Sequence, residues 1–307
     1  MKGVVTKSMG LWYRVASEDQ KVHNCRLKGK FKLDGMKISN PVAVGDYVTM
    51  IEDEGNSEAK IISEIHKREN YIIRKSPKKK GHSHIIASNI DQAILIATLA
   101  APRTSFGFID RFLVTAEAFR IPTIIIFNKI DTLSEYAKEE LLKIQAEYRN
   151  IGYENMAISA LSDRDVKSLK ELLKGKTSLF SGHSGVGKST LVNALIPHVD
   201  QEVTEISSFA NKGVHTTTFA ERFSIDGTSH IVDTPGIKEL GLAEIEKEEL
   251  SHYFPELRSL LNKCKFHNCS HTHEPGCAIE EAYKQGNITP TRYDSYISML
   301  TGDDNRR

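Results

Sequence analysis

Over residues 1–66, apolar and polar positions alternate in short runs at 3–6, 12–16, 22–27, 42–51 and 60–65. Turn-forming residues separate the runs: Asp34-Gly35, Asn40-Pro41, Gly45-Asp46 and Glu54-Gly55-Asn56. A period of two bounded by such residues marks half-buried strands, and several of them in so short a segment predict a small barrel of OB or SH3-like type. From residue 90 the pattern changes. Solid apolar runs at 93–99 and 121–127 flank a segment in which Ile109, Phe112, Leu113, Ala116 and Phe119 share one helical face. A polar helix is expected over 134–149, then a short strand at 156–158, a helix at 165–173 and a strand at 177–180. Leu191, Val192, Leu195 and Ile196 mark a further helix, followed by strands at 219–225 and 229–232. Buried-type strands alternating with helices predict an α/β domain with a mainly parallel sheet over 86–240. Helical patterns at 246–261 and 278–285 close the chain. The expected class is multidomain: an all-β OB-like barrel over 1–66, a central α/β domain over 86–240 and a C-terminal helical element over 241–307.

Charge changes this picture locally and not globally. Lys and Arg number 41 against 40 Asp and Glu, a net charge of +1, so bulk charge announces no polyanion partner. The densest basic run, Arg74-Lys75-Ser76-Pro77-Lys78-Lys79-Lys80, falls between the barrel and the α/β domain. Proline and like-charge repulsion both oppose packing, so residues 67–85 read as a mobile basic linker attracted to phosphate backbones. In the barrel, Lys21, Arg26, Lys28, Lys30, Lys32 and Lys37 lie near Trp12, Tyr13 and Phe31, a composition suited to an RNA-binding face. The longest apolar run, near 93–101, is too short to span a bilayer. The N-terminal residues lead into no apolar signal core. A cytoplasmic location with no membrane partner is expected, and nothing in the pattern calls for more than a monomer.

Residues Gly182, His183, Ser184, Gly185, Val186, Gly187, Lys188 and Ser189 fit G-x-x-x-x-G-K-[ST], placed between an apolar strand and a helix that continues through Thr190. A strand, a glycine-rich turn and a helix N-terminus together aim backbone N–H groups and a positive dipole end at phosphates. Lys188 would reach the β- and γ-phosphates, and the Ser189 hydroxyl would hold Mg²⁺. The strand ending at Phe127 runs into Asn128-Lys129-Ile130-Asp131. That tetrapeptide resembles the guanine-specificity motif of translation-factor-type GTPases. The Asp131 carboxylate would accept from the guanine ring N–H and its amino group, and adenine would leave that buried carboxylate underpaired. Asn128 would bond the carbonyl edge of the base, and Lys129 would lie along base and sugar. The next strand ends in Ser159-Ala160, resembling the second guanine-contacting motif of the same proteins. Downstream, Asp233-Thr234-Pro235-Gly236 resembles the Mg²⁺- and γ-phosphate-sensing switch II motif, with Asp233 near the metal and the Gly236 N–H near the γ-phosphate. In Gly213-Val214-His215-Thr216-Thr217-Thr218, a candidate switch I, Thr216 or Thr217 would complete the Mg²⁺ shell. A P-loop ATPase or kinase is the rival enzyme class, and the base-reading residues argue against it.

These motifs occur in the order base, base, P-loop, switch I, switch II, whereas an ordinary GTPase begins with its P-loop. The chain therefore reads as a circularly permuted P-loop GTPase, a rearrangement that sheet pairing tolerates. Switch II then leads directly into the C-terminal element. The C-terminal element contains Cys264, Cys269 and Cys277 within C-x₄-C-x-H-x₅-C, with His267, His271 and His273 nearby. Three thiolates and one imidazole suit a closed, structural tetrahedral Zn²⁺ site. In a region poor in apolar residues, such an ion would supply much of the folding energy. Cys25, far off in the barrel, reads as a small buried apolar residue. In the tail, Arg292, Tyr293 and Tyr296 are candidates for RNA contact or for solvated helix ends.

The combination of permuted motifs and cysteine spacing is similar to the ribosome small-subunit-dependent GTPase family (RsgA, also called YjeQ or YloQ), over nearly the whole chain. The resemblance implies GTP hydrolysis stimulated by the small ribosomal subunit during its late maturation, with GTP or GDP, the subunit and its rRNA as partners. It selects His271 over His267 and His273 as the zinc ligand beside Cys264, Cys269 and Cys277. Many GTPases orient the attacking water with a Gln directly after the switch II glycine; this chain has Ile237 there. His215 is the candidate to replace it, both by its chemistry and by the resemblance. Slow turnover without a partner follows from a single side chain on a switch loop. A GTP-dependent RNA-binding clamp with negligible turnover is the alternative reading.

Overall fold

The computed structural model describes residues 1–28, 41–55, 58–75, 83–196, 220–233 and 245–302. Strands β1 (Lys2–Met9), β2 (Trp12–Ser17), β3 (Val22–Leu27), β4 (Tyr47–Glu52) and β5 (Lys60–Ile65) close on themselves in the order β1-β2-β3-β5-β4-β1. Strands β3 and β5 pair in parallel and the other neighbours antiparallel. The expected barrel is therefore present. Its alternation sends Val5, Tyr13, Val15, Cys25, Val48, Met50 and Ile62 into a closed core. Burial pushes the Cys25 thiol up to about 11, which leaves it a small neutral residue. Trp12 stays 41% exposed. Two of the basic positions are already paired, Lys21 with Asp19 at 3.2 Å and Arg26 with Asp53 at 2.6 Å. Lys30, Phe31, Lys32 and Lys37 lie outside the described residues.

The expected mobile linker over 67–85 is corrected at both ends. Strands β6 (Tyr71–Lys75) and β7 (Ser83–Ser88) pair antiparallel in a two-stranded sheet. The apolar residues Ile72, Ile73, Ile85 and Ala87 are buried and hold this ribbon down against the charge density of its sequence. Just before it, Arg68 clasps the wholly buried Asp46 of the barrel at 2.6 Å, and the Ser88 hydroxyl donates to the same carboxylate at 2.6 Å. Gly45 has φ +93°, and a Cβ there would collide with the Ser88 carbonyl oxygen. The barrel thus meets β7 backbone to backbone.

The α/β sheet runs β10-β9-β8-β11-β13-β12, built from β8 (Gln92–Ala97), β9 (Thr123–Phe127), β10 (Glu154–Ala157), β11 (Thr177–Ser181), β12 (Glu221–Ser224) and β13 (His230–Asp233). All neighbours are parallel except β12, which pairs antiparallel with β13 and with β1 of the barrel. The core strands are buried on both faces. Leu95, Ala97, Ile125 and Phe127 pack under Phe112 and Leu113 of α1 (Phe106–Ala118) and Leu141 of α2 (Glu135–Asn150). Ile94, Ile96, Ile124 and Ile126 pack under Leu169 of α3 (Asp163–Leu172) and Leu191 of α4 (Lys188–Leu195). Each such aliphatic side chain contributes about 1.5–3 kcal/mol by leaving water. Ser105, Ser134 and Ser162 cap the first three helices by accepting a backbone N–H three residues on.

The helical pattern over 246–261 is divided into a 3₁₀ stretch at Lys247–Tyr253 and a short helix α5 (Pro255–Arg258). Pro255 removes a donor and forces Phe254 into the extended region, at φ −108° and ψ 107°, so the first turn cannot continue into the second. Helices α6 (Ala278–Lys284) and α7 (Pro290–Thr301) complete this element. Its core of Leu250, Phe254, Leu257, Ile279, Tyr296 and Met299 packs on Val114 of α1. No helix among the described residues is long and apolar enough to cross a membrane.

Candidate nucleotide site and metal centre

Strand β11 lies between β8 and β13, and its C-terminal end delivers Gly182–Gly187 to the N-terminus of α4. Gly187 has φ +91°, and a Cβ at this position would strike the side-chain amide of Asn128. That amide joins three of the predicted motifs. Its nitrogen donates to the Val186 carbonyl at 2.8 Å, and its oxygen accepts from the Ala160 N–H at 3.0 Å. Asn128 is 2% exposed. A side-chain amide has two N–H donors, so one remains for a base after the Val186 bond. Asn128 is therefore a frame for the pocket as well as an expected base contact. Lys129 adopts φ 64° and sends its ammonium to the Ala101 carbonyl at 2.9 Å. Asp131 follows in a 3₁₀ turn at Ile130–Thr132 and is exposed, not buried as expected. The expected discrimination between bases would therefore need the base to cover it. The Ser159 N–H is held by Asp165 at 2.9 Å, and the Ser159 hydroxyl accepts from the Leu161 N–H at 3.2 Å.

Lys188 donates to Asp233 in a close charge-assisted contact, so the predicted phosphate cation and the predicted metal-side carboxylate face each other across the P-loop. The Asp233 carboxylate and the Ser189 hydroxyl are oxygen donors of the kind Mg²⁺ takes. His183, at one of the four variable positions of the P-loop motif, has a definite seat. Its Nε2 lies 2.9 Å from the Thr104 hydroxyl, and its ring meets Phe108 edge-on at 5.2 Å. The loop from Thr98 to Ser105 thus braces the P-loop. Thr104 also accepts the Thr98 N–H at 2.9 Å, and Pro102 lies against Gly185. No motif marks Thr104, Asp165 or this loop in the sequence; only their positions after β8 and after Ser159-Ala160 hint at them. His215, Thr216, Thr217 and Gly236 lie outside the described residues.

In the C-terminal element the donor atoms of Cys264, Cys269, His271 and Cys277 lie within 4.8 Å of one another. The Cys264 and Cys277 sulfurs are each 3.6 Å from Nδ1 of His271. A tetrahedral ion with sulfur at about 2.3 Å and nitrogen at about 2.0–2.1 Å has S···N edges of about 3.6 Å. The set therefore fits a metal ion, with Nδ1 of His271 as the nitrogen donor; His267 and His273 are not part of it. Burial pushes the Cys269 thiol up to about 12 and pulls the His271 imidazole down, so thiol protons would leave as a metal enters. Glu274 shapes the loop by accepting from Ser270 N–H at 2.7 Å and from the Ser270 hydroxyl at 2.6 Å. Tyr293 and Tyr296 donate to the backbone carbonyls of His271 and Ser270, at 2.8 and 2.9 Å.

A family model for the RsgA GTPase matches residues 65–243, and a model for the RsgA N-terminal domain matches residues 2–61. The chain belongs to the RsgA family. It is a P-loop GTP hydrolase of that family. A small ribosomal subunit biogenesis GTPase RsgA from Bacteroides fragilis is 49% identical over 301 residues, spanning 98% of this chain and 96% of its own. The crystal structure of YjeQ from Thermotoga maritima superposes with a TM-score of 0.76 at 34% identity, covering 100% of this chain and 99% of that one. The crystal structure of YloQ, a circularly permuted GTPase, superposes with a TM-score of 0.74 at 28% identity, covering 100% and 96%. The RsgA architecture is thus a barrel, a permuted GTPase domain and a helical element with a cysteine cluster.

Proposed function

We propose that this RsgA-family GTPase binds the small ribosomal subunit through its rRNA, couples GTP hydrolysis to late maturation of that subunit, and is stimulated by it. Its working units are 1–66, 86–240 and 241–307, and it acts in the cytoplasm as a monomer. The name of the full-length Bacteroides fragilis relative supports the reading. The observation that carries it is the convergence of Asn128, Lys188 and Asp233 on one P-loop.

GTP would lie along 182–190, its phosphates met by the N–H groups of the loop and by Lys188, which leaves Asp233 to reach them. Asp131 would accept the guanine N–H groups, with Asn128, Lys129, Ser159 and Ala160 around the base. Ser189, Asp233 and Thr216 or Thr217 would hold Mg²⁺, which neutralises charge on the β- and γ-oxygens. The Gly236 N–H would sense the γ-phosphate. His215 would orient the attacking water in place of the Gln absent at Ile237. Zn²⁺ is the ion assigned to Cys264, Cys269, His271 and Cys277, as a structural ion. His215→Ala is expected to abolish stimulated turnover while GTP still binds; unchanged stimulated turnover would refute this role.

The deciding experiment measures GTP turnover by the zinc-loaded protein alone, with purified small subunits, and with large subunits as control. Stimulation by the small subunit alone supports the reading; its absence with GTP binding intact sinks it. Ile237 at the usual glutamine position favours the second reading, a GTP-dependent RNA clamp, which that negative result would select.

A further inference from the structure

The barrel joins the GTPase sheet through β1 and β12, where Lys7 faces Glu221 at 2.9 Å. Beside this seam lies a cleft of about 400 Å³. Lys2, Tyr47 and His66 line it from the barrel, and Arg222 and His230 from the β12–β13 hairpin; Glu18 is its only carboxylate among the described residues. The Arg222 Nε is fully enclosed and meets no acceptor. Burial works against the Arg222 charge, with Tyr47 and Asp91 opposing that effect. An N–H held out of water without an acceptor is costly, and an oxyanion in the cleft that met the terminal nitrogens of the same half-buried guanidinium would offset part of the cost. Tyr47, 50% exposed, presents an aromatic ring from the barrel side of the same cleft. A half-buried guanidinium lining the cleft near an open aromatic ring matches one unit of single-stranded RNA, with phosphate on the cation and base on the ring.

The seam also touches the nucleotide site. Arg222 stands opposite Val232 in the ladder, and the adjacent pair is Glu221 and Asp233. Asp233 is the residue that holds Lys188. An occupant spanning Tyr47 and Arg222 would tie the barrel to a hairpin whose second strand ends at the P-loop lysine. We propose that this seam cleft is an RNA-contact site, holding one phosphate of single-stranded RNA on Arg222 with a flanking base on Tyr47. The proposal rests on the rRNA-binding reading above and locates one contact within it.

The test uses the full-length protein and a labelled single-stranded oligouridylate carrying a 4-thiouridine, with photo-crosslinked peptides mapped by mass spectrometry. The expected result is a crosslink on the Tyr47 peptide, reduced about tenfold by Arg222→Gln while crosslinks elsewhere on the protein persist. The salt slope of binding should fall by about 0.7, one phosphate contact on a single strand. Arg222→Lys should restore part of it. Tyr47→Leu, which leaves the hairpin untouched and guards against a folding defect in the arginine variants, should weaken binding about tenfold. A Tyr47 crosslink insensitive to Arg222→Gln, or crosslinks only at other sites, overturns the proposal. So does uridine 5′-monophosphate competing as well as the oligonucleotide, which would make the cleft a free-nucleotide site. Small-subunit-stimulated GTP turnover, measured in parallel, separates the two claims. If stimulation persists while the seam crosslink fails, only the seam assignment falls; if stimulation is absent while the seam crosslink appears, only the functional reading falls.

Discussion

Asn128 donates to Val186 and accepts from Ala160, so a single amide ties the P-loop to the turn that follows β10. Replacing it by alanine leaves a buried carbonyl and a buried N–H without partners. Each such orphan costs about 1–3 kcal/mol. Asn128→Ala should therefore lower the urea midpoint and weaken GTP binding, whereas loss of affinity with an unchanged midpoint would mean that Asn128 serves the base alone. The P-loop and Asn-Lys-x-Asp letters were legible because phosphate and guanine recognition need fixed residue types at fixed spacing. The cross-links between them were not. Asn128 and Val186 are 58 positions apart, and His183 and Thr104 are 79 apart, so only the folded sheet shows that they meet. Asp131 was misjudged as buried because its letter states what it can bond and not how deeply its turn lies.

At the scale of elements, strands with a strong period were found and those masked by charge were not. The β6–β7 ribbon was hidden by the lysine run between its strands, although Ile72 and Ala87 on one side and Ile73 and Ile85 on the other anchor it. The break at Pro255 followed from a rule visible in the sequence, but the helical spacing around it outweighed the proline. Two predictions belong here. Burial, and then the Arg222 charge, push the His230 imidazole down to about 4, while the unfolded chain titrates it near 6.5. Between these values the unfolded state binds more protons, so stability should fall as pH drops from about 6.5 toward 4 and be indifferent to this group above that window. His230→Gln should flatten the acid limb of a plot of urea midpoint against pH; an identical limb would show that other groups set it. Asp226, in the same hairpin, is held well below its usual range by hydrogen bonds from Ser229 and Thr228, so its stabilisation is intact throughout the His230 window and is lost only as pH falls below the usual carboxylate range. In the C-terminal element, Cys277→Ser removes one of the four donors proposed to hold zinc. Bound zinc, measured with a colorimetric chelator, should fall to background, and protease should attack this element first, since the affinity of such an ion would be folding energy. Full zinc retention would show that Cys277 is not a ligand.

At the scale of the molecule, both neighbours of the GTPase domain are docked through buried charge. Arg68 and Asp46 do this for the barrel, and Arg292 does it for the C-terminal element. Arg292 was expected in an RNA-touching or solvated tail. It is 1% exposed, donates to Asp110 of α1 at 2.6 Å and to Glu256 at 2.7 Å, and stacks its guanidinium 4.6 Å from the Phe254 ring centroid. Sequence cannot reveal this, because a basic residue at a helix start reads as solvated until its acidic partners, 182 and 36 positions away, are placed beside it. Burial works against the Arg292 charge, and Asp110 and Glu256 outweigh it. Arg292→Met would strand two carboxylates in the interface, one of them also accepting from Tyr148 at 2.9 Å. Removing one partner of such a network costs about 3–5 kcal/mol, far more than the intact network contributes over an apolar one. Arg292→Lys should recover only part, since an ammonium lacks the fork that reaches both acids. Helix α1 also carries Phe108, which meets His183 of the P-loop, so loosening Asp110 should reach the nucleotide. Arg292→Met is therefore expected to release the C-terminal element to limited proteolysis and to weaken GTP binding several-fold, with Arg292→Lys between it and the parent. A variant that melts and digests like the parent would show that packing around Val114, and not the charge network, holds the two parts together.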